Sequence, residues 1–398
     1  MTSHLNERSS LVKISENGPG QSSREADIKR KYNLLIVVSN LWIGGTEVVI
    51  QNLCHTLDRR LFNVSVCHLK ERGNIGDDLH RAGVDIVGLP PSKVFKRANY
   101  LSFLELLKVI RSKKIDIIHS HTTYSLTDSA LCKLFRPSVK LVHTFHFGNY
   151  PHDDKRRMLM ERVFSRVADC LVAVGDHQRK TIEQAYRVSS TKMRKIWNGV
   201  TLSDRGEEFD LQSVIGTEKR LVVGTIATLY EQKGITFLLD VAARLKSQGE
   251  KVAFIVAGEG PLRKELEQKC ERLGLADTVY LIGWVKDAAA RLIPKLDVFF
   301  QPSLWEAMSV VVLEAMAAGK PIVVTRVGEN PLVIGHDRDG LLVDPRNVDQ
   351  MVSALSRLIH EPGLGARLGN EAKKTFYQSF TADRMARDYE RLYLEVLG

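Results

Sequence analysis

The stretch DVFFQPSLWEAMSVVVLEAMAAGKPIVVTR, residues 297–326, decides the fold of this chain. Its two ends, DVFFQPS and PIVVTR, are short apolar runs that predict buried β-strands. Between them, residues 310–318 predict a helix that begins after Ser309 as its N-cap and ends at Gly319 as its cap glycine. A buried strand, a helix and another buried strand in succession are typical of a parallel sheet covered by helices on both faces.

The same alternation extends outward along most of the chain. Strands are predicted at residues 33–39, 62–69, 84–89, 115–121, 139–146, 169–175, 220–227, 251–258, 277–283, 297–303, 321–326 and 340–344. A polar, weakly periodic stretch at 201–219 interrupts the pattern. We therefore expect an α/β chain of two doubly wound, Rossmann-like domains with a ligand cleft between them. Their predicted bounds are a disordered polar tail at 1–30, a first domain at 31–200, a linker at 201–219, a second domain at 220–378 and a final helix at 379–398.

The composition is that of an ordinary globular protein, with 44% hydrophobic and 26% charged residues. No apolar run approaches the roughly 18 residues that cross a bilayer, and the first 30 residues lack the apolar core of a signal peptide. We therefore expect a cytoplasmic protein. Scattered cysteines without metal-site spacing are expected to be buried free thiols. They are Cys54, Cys67, Cys132, Cys170 and Cys270.

The net charge of +10 is concentrated in the first half of the chain. Residues 31–200 hold 27 Lys and Arg against 15 Asp and Glu, whereas residues 201–398 hold 25 against 28. This favours an anionic partner for the first half, although a solvated basic face would give the same count. No basic stripe interleaved with aromatic residues indicates nucleic acid, so we expect a peripheral contact with an anionic membrane, at the inner face. The cations chosen for it are Lys93, Lys96, Arg97, Lys108, Arg111, Lys113 and Lys114, beside Val94, Phe95, Tyr100 and Phe103.

Two glutamates in the opening stretch are the strongest candidates for a binding site. Glu306 precedes the predicted helix, and Glu314 lies inside it among apolar residues, where a lone charge is costly. The amino end of the helix carries unpaired N–H groups and partial positive charge, which suit a diphosphate. Glu306 is then placed to accept hydrogen bonds from sugar hydroxyls, and Glu314 from a ribose diol. The alternative is that both glutamates are ordinary surface charges, in which case each should lie on a polar face of a helix.

The pattern E-A-M-S-V-V-V-L-E-A-M-A-A-G-K-P-I-V resembles the signature of glycosyltransferase family 4, whose members are retaining enzymes with the GT-B fold. The resemblance covers roughly residues 32–398 and implies transfer of a sugar from a nucleotide diphosphate donor to an acceptor hydroxyl. It implies a glycan or lipid-linked acceptor, in polysaccharide or glycolipid biosynthesis, and no metal or other cofactor.

Further positions match the same family. The segment SNLWIGGTE places Gly44 and Gly45 against the donor phosphates, and HTFH places His146 over the donor sugar. VGTIATLYEQKGI supplies Lys233, but Thr228 stands where the family usually has arginine. The catalytic residues implied are Glu306, His146 and Lys233. The donor-binding residues implied are Gly44, Gly45, Thr228, Gly258, Gly283, Trp284, Ser309, Val310 and Glu314.

Two departures keep other functions open. Besides Thr228, the loop RVGENPLVI has Glu329 where glycine is usual and Leu332 where glutamate is usual. A weak or inactive scaffold that binds a membrane surface or an anion is one alternative, and a nucleotide-sugar epimerase with the same fold is another. The donor base, the sugar, the acceptor and the oligomeric state cannot be derived from these residues.

Overall fold

Two parallel sheets, each covered by helices, form the molecule in a computed structural model that describes residues 30–89, 102–150, 154–202 and 209–398. The first sheet has the order β3-β2-β1-β4-β5-β6-β7. Its strands are β1 Tyr32–Asn40, β2 Phe62–Glu71, β3 Asp85–Gly88, β4 Ile117–Ser120, β5 Lys140–Phe145, β6 Cys170–Ala173 and β7 Met193–Lys195. The helices of this half are α1 Gly45–Thr56, α2 Gly73–Arg81, α3 Ser102–Ser112, α4 Thr123–Phe135, α5 Lys155–Phe164 and α6 Asp176–Tyr186.

The second sheet has the order β10-β9-β8-β11-β12-β13. Its strands are β8 Leu221–Ile226, β9 Val252–Ala257, β10 Val279–Gly283, β11 Val298–Gln301, β12 Ile322–Thr325 and β13 Leu341–Val343. The helices that follow β7 are α7 Gln212–Ile215, α8 Ile235–Ser247, α9 Arg263–Arg272, α10 Ala288–Arg291, α11 Val310–Ala317, α12 Asn330–Val333, α13 Val348–His360, α14 Leu364–Ser379 and α15 Ala382–Leu397. The predicted fold class, with two doubly wound α/β domains, is confirmed.

The strands could be predicted from the sequence because most of them are buried on both faces. All six residues of β9 are buried, as are the central residues of β1, so each strand is a continuous apolar run. Helix α11 is apolar around most of its circumference because it packs inside the molecule, and Gly319 ends it with a φ of +68°. The short strand β7 was missed, because two of its three residues are cations at the edge of the sheet.

In both sheets the strand order reverses direction next to the first strand, between β1 and β4 and between β8 and β11. Ligands of doubly wound proteins bind beside such a reversal, outside the carboxyl ends of the strands. The loops after β1, β8 and β11 therefore form the walls of the candidate site.

Two chain segments connect the halves, and they lie side by side. Val200 and Thr381 form an isolated bridge, and the Val200 N–H donates to the Phe380 carbonyl over 3.1 Å. A Cβ at Gly199 would lie 2.3 Å from the Thr381 oxygen, so the glycine is required for this close approach. Of the predicted linker, residues 203–208 lie outside the described residues, and the remainder contains α7, with Ile215 buried. The predicted disordered tail also lies outside them, except for Arg30.

The last helix, α15, returns to the first sheet and completes its core. Tyr389 and Tyr393 are buried, and the Tyr393 hydroxyl lies 2.7 Å from His119 Nδ1. Tyr389 shares a 2.9 Å hydrogen bond with Thr144, whose hydroxyl in turn lies 2.7 Å from His119 Nε2. A buried polar network of this kind fixes the helix at one rotation and one register.

The five cysteines are free and buried, as predicted. Burial raises the pKa of the Cys54 and Cys67 thiols to about 12. These thiols therefore stay protonated and serve as small apolar side chains. Among the described residues, no helix is both long enough and apolar enough to cross a bilayer.

We expect Tyr393→Phe to lower the free energy of unfolding by about 1–2 kcal/mol, because it leaves one nitrogen of the buried His119 without a partner. Urea denaturation at pH 7.5 measures the loss. Tyr377→Phe is the matched control, since Tyr377 is 58% exposed. Equal effects of the two substitutions would contradict the proposed role of the hydroxyl.

Candidate active site

The amino ends of α1 and α11 face each other across the cleft between the two domains. A Cβ built on Gly45 would lie 3.8 Å from Val310 Cγ2, in ordinary van der Waals contact. Gly44 and Ser309 are the N-cap residues of these helices; Gly44 has no side chain, and that of Ser309 does not cap its own helix. Two sets of helix N–H groups with partial positive charge therefore converge, which is an arrangement that attracts an anion.

Ser309 is the N-cap residue of α11, as predicted, with extended backbone, but its side chain does not bond to the N–H groups of its own helix. Its hydroxyl accepts a 2.8 Å hydrogen bond from Gln301 Nε2 at the end of β11. The side chain is therefore directed to the strand, and the first N–H groups of α11 are left to other acceptors.

Glu306 and Lys233 form an ion pair at the centre of this wall. Lys233 Nζ lies 2.5 Å from Glu306 Oε1, which also accepts a 2.9 Å hydrogen bond from the Ser303 hydroxyl. The Glu306 side chain is 7% exposed and that of Lys233 19% exposed. Because both charges are largely removed from water, each depends on the other for stabilisation.

The turn that carries Lys233 is fastened to the loop that carries Glu306. The Leu304 N–H donates to the Gln232 carbonyl over 2.7 Å, and Gln232 Nε2 donates to the Trp305 carbonyl over 3.0 Å. Gly234 then turns with a φ of +62°, and a Cβ there would lie 2.1 Å from the Pro302 oxygen. Only glycine fits this turn, so the backbone of Lys233 is fixed next to the loop that carries Glu306.

The backbone of Glu306 is enclosed from both domains. A Cβ on Gly148, from the first domain, would lie 2.2 Å from the Glu306 carbonyl carbon. A Cβ on Gly328, from the second domain, would lie 2.1 Å from the Glu306 oxygen. The residue that the sequence marks most strongly is therefore the one on which the two domains converge.

Glu314 is half-buried on α11, and burial raises the pKa of its carboxyl to about 8. The apolar neighbours predicted from sequence are the physical cause, because they remove water from the charged form. At pH 7 the group is therefore largely protonated.

Sequence reasoning missed Glu47, although it stands in the quoted segment SNLWIGGTE. A Cβ on Gly44 would lie 2.5 Å from Glu47 Oε2, so this carboxyl lies beside the glycine pair expected to bind phosphate. Burial raises its pKa to about 7. An anion at the amino end of α1 would therefore require this side chain to be protonated or displaced.

Two of the predicted binding glycines have a structural role in the second domain. Gly258 has a φ of +140°, and a Cβ there would lie 1.9 Å from the Ala227 oxygen. Its N–H donates to the Gly283 carbonyl over 2.7 Å. These contacts join the ends of β8, β9 and β10 and leave the Trp284 ring 51% exposed, free to stack on a planar group.

Thr228 is exposed on the loop after β8 and brings no positive charge to it. The nearby turn at 258–260 is followed by Arg263, which donates to Glu259, Glu267 and the Leu281 carbonyl. Lys233 is therefore the cation that the loop between β8 and α8 itself offers to an anion.

Four histidines lie together at the ends of β4 and β5, namely His119, His121, His143 and the predicted site residue His146. His121 Nδ1 and His146 Nε2 are 2.9 Å apart, and the rings of His119 and His121 are separated by 3.9 Å. Burial lowers the pKa of His143 to about 4 and that of His146 to about 3. The rings are neutral at working pH, so His146 offers a hydrogen bond rather than a charge. Among the described residues, no group of three His, Cys, Asp or Glu side chains is arranged to hold a metal.

The loop 326–334 does not present Glu329 to the outer part of the cleft. Glu329 is fully buried, and its Oε1 accepts a 2.8 Å hydrogen bond from the Gln178 N–H in the first domain. Leu332, by contrast, is 52% exposed. Glu306 and Glu329 both line a cavity of about 310 Å³ between the domains.

Two known families match consecutive parts of the chain. The family described as Glycosyltransferase Family 4 matches residues 43–204, and the family described as Glycosyl transferases group 1 matches residues 207–375. The two matches meet between β7 and α7, where the chain passes from the first sheet to the second.

Similar proteins cover the same length. An uncharacterized glycosyltransferase of Methanocaldococcus jannaschii is 26% identical over 89% of this chain and 96% of its own. The UDP-Gal:alpha-D-GlcNAc-diphosphoundecaprenol alpha-1,3-galactosyltransferase of Escherichia coli is 22% identical over 74% of this chain and 79% of its own. The crystal structure of Anabaena HepE in complex with UDP and glucose shares the fold, with a TM-score of 0.81 at 20% identity over 92% of this chain and all of HepE.

We expect Glu314→Gln to change how stability depends on pH. The folded pKa of Glu314 is raised above 4.5, so its contribution to stability is present at low pH and is lost as the pH rises through about 8. Between pH 5.5 and 8.5, the free energy of unfolding of the wild type should fall by about 1–3 kcal/mol more than that of the variant. Urea denaturation at the two pH values measures this difference, with Glu371→Gln as the control on the surface of α14. Parallel pH profiles for the wild type and Glu314→Gln would contradict the assignment.

Proposed function

The chain belongs to the group 1 glycosyltransferases of the GT-B fold, and on that premise we propose that it transfers a sugar with retention of configuration. The donor is a nucleotide diphosphate sugar, and the acceptor is a hydroxyl of a glycan or of a lipid-linked sugar. The observation that carries the proposal is the Glu306–Lys233 pair, which lies beside two facing helix amino ends. Polysaccharide or glycolipid assembly is the class of pathway that such an acceptor implies.

Stabilisation of the leaving nucleotide diphosphate is the main catalytic task. Negative charge builds on the diphosphate as the bond from the anomeric carbon to oxygen breaks, and positive groups fixed in place stabilise it without reorganisation. Lys233, the amino end of α11 and the N–H groups at Gly44 and Gly45 supply that charge. The proposal therefore needs no metal and no other cofactor.

The Glu306 carboxylate can bond either to Lys233 or to hydroxyls of the donor sugar. In the free protein its Oε1 is bonded to Lys233 and Ser303. An arriving diphosphate competes for Lys233, which leaves the carboxylate free to accept hydrogen bonds from hydroxyls of the donor sugar. Exchange of the ion pair for two ligand contacts orients the sugar and the leaving group together.

The transfer takes place on one face of the sugar ring. The bond to the phosphate oxygen breaks through an oxocarbenium-like transition state, and the acceptor oxygen forms its bond to the anomeric carbon on the same side. The departing phosphate oxygen takes the acceptor proton, so no protein base is required. His146, neutral because of its burial, donates or accepts a hydrogen bond at a sugar hydroxyl.

The nucleoside binds on the second domain. Glu314 accepts hydrogen bonds from the ribose diol, and Trp284 stacks on the base next to the backbone of Gly283. UDP is the first nucleotide to test, because two of the three proteins named above are described with it: the Escherichia coli enzyme by UDP-Gal in its name, and HepE by a crystal structure in complex with UDP. Thr228 contributes at most one hydroxyl, so we assign less of the phosphate binding to this loop than an arginine would supply.

A thermal-shift panel of UDP, GDP, ADP and their glucose or mannose derivatives, without added metal, tests the proposal. We expect the nucleotides of one base to raise the melting temperature of the protein by several degrees at millimolar concentration, because a ligand that binds the native state stabilises that state. Glu306→Gln should keep that nucleotide-dependent shift and lower sugar transfer or donor hydrolysis by about tenfold to a hundredfold. Glu371→Gln is the charge-matched control.

Absence of a shift with every nucleotide would favour the alternative of an inactive scaffold. Full activity of Glu306→Gln would remove the assigned role of this carboxylate. Conversion of the donor into its epimer, without transfer, would favour an epimerase.

The membrane contact is proposed at the corner where α3 meets the end of α4. Of the cations chosen from sequence, Lys93, Lys96 and Arg97 lie outside the described residues, whereas Lys108 and Lys113 are paired with Glu105 and Asp85. Leu134 and Phe135 are 61% and 62% exposed, and Phe103 stacks against Phe135. Exposed apolar side chains on a domain with excess positive charge fit the surface of an anionic bilayer.

We expect the protein to sediment with vesicles of phosphatidylglycerol and phosphatidylcholine at low salt, and less with phosphatidylcholine alone. The double substitution of Leu134 and Phe135 by serine should reduce binding several-fold, through loss of the buried apolar area. Tyr377→Ser, an exposed aromatic in the other domain, is the control. Equal sedimentation of all three proteins would contradict the assignment.

A further inference from the structure

Glu329 is a residue of the second domain whose carboxylate caps a helix of the first. Its Oε1 accepts a 2.8 Å hydrogen bond from the backbone N–H of Gln178, the third residue of α6. The N-cap residue of α6 is Gly175, which has no side chain to fill this role. A carboxylate at the amino end of a helix is stabilised by the unpaired N–H groups and by the helix dipole. The cap that α6 lacks in its own sequence is therefore supplied from across the cleft.

The contact leaves no space between the two domains at this point. A Cβ on Gly175 would lie 2.0 Å from Glu329 Cδ and 2.4 Å from its Cγ. The φ of Gly175 is −174°, an extended conformation open to any residue, so the glycine is required for space alone. Gly175 and Glu329 are thus complementary in size.

A chain of hydrogen bonds leads from this contact to Glu306. Gln178 Nε2 donates to the Phe147 carbonyl over 2.9 Å, and the next residue, Gly148, packs directly on the Glu306 backbone. From the other side, the Glu329 N–H donates to the Ala307 carbonyl over 2.9 Å. Glu329 is therefore linked to the Phe147–Gly148 segment through Gln178, and it directly follows Gly328, the other residue that encloses Glu306.

Stability alone does not account for a carboxylate in this place. Glu329 is fully buried, and its second oxygen, Oε2, has no hydrogen-bond partner among the described residues. A buried carboxylate that is only half satisfied costs more than an apolar side chain of similar size. A role that depends on the position of the acceptor oxygen Oε1, at the seam between the domains, explains its presence better.

We propose that Glu329 is a positioning residue that holds the two domains in the closed arrangement, with α6 and the Glu306 loop in contact. The assignment rests on the proposed function, because closure is useful when a donor must be enclosed. Removal of the carboxylate lowers the closed fraction of the free protein, and the apparent affinity for a donor falls by the same factor. Bound donor restores the closed state, so the rate at saturation is preserved.

The first test uses the ligand-free protein and the variants Glu329→Gly, Glu329→Gln and Gly175→Ala. Hydrogen–deuterium exchange of peptides covering residues 174–180 should accelerate in Glu329→Gly, and small-angle scattering should give a larger radius of gyration. Glu329→Gln retains an amide oxygen that can accept from the Gln178 N–H, so it should stay near the wild type. Gly175→Ala should open the wild-type protein and have no further effect in the Glu329→Gly background, since the clash needs both side chains. Unchanged exchange and radius, or additive effects of the two substitutions, would overturn the proposal.

The second test measures UDP binding by calorimetry and hydrolysis of UDP-glucose. We expect Glu329→Gly to raise the Kd and the KM about tenfold and to change kcat less than twofold, whereas Glu329→Gln should recover most of the affinity. A loss of thermal stability with unchanged Kd and KM would identify a merely structural residue and overturn the proposal. If the wild type binds no nucleotide, the proposed function fails, whereas the exchange and scattering results still decide whether Glu329 closes the domains.

Discussion

The enclosed backbone of Glu306 is the constraint on which the rest of the site depends. Gly148 and Gly328, one from each domain, approach it so closely that neither position has room for a methyl group. The Glu306 carboxylate is thereby directed to Lys233, and the helix that follows begins opposite α1. The two sheets thus share one fixed point, and small rotations of either domain move both walls of the cleft relative to that point.

The charges around this point are balanced rather than accumulated. Lys233 is paired with Glu306, Glu314 is neutral over much of the physiological range, and the nearby histidines are neutral because of their burial. Lys233, Glu306, Glu314 and His146 together therefore add little net charge to the cleft. An anionic ligand rearranges pairs that already exist, so part of its binding energy is used to separate Lys233 from Glu306.

The fold was predictable because parallel strands that are buried on both faces have continuous apolar sequences. The alternation of these strands with helices then gives the fold class. The positions of Glu306, Glu314 and Gly319 around α11 could be predicted for the same reason, since they lie within a few residues of a strong local pattern. The contact from Glu329 to Gln178 joins residues 151 positions apart, and no local pattern contains it. The partners of side chains that have two acceptable alternatives could not be predicted either. Ser309 bonds to Gln301 instead of its own helix, and Lys113 pairs with Asp85 instead of facing solvent. Glu47 was overlooked because its position beside Gly44 depends on a rotamer, which periodicity does not determine.

The helix at the end of the chain also has a consequence for biosynthesis. His119 lies in the fourth strand, yet its partner Tyr393 is 274 residues further along. Helix α15 is synthesised after both sheets, so the amino-terminal domain cannot complete its core until residues 382–397 have left the ribosome. All strands of the carboxyl-terminal sheet lie between residues 221 and 343, so this sheet leaves the ribosome before α15 does. The half of the protein that is translated first is therefore the half that finishes folding last, and until then its unfinished surface is exposed to chaperones and proteases.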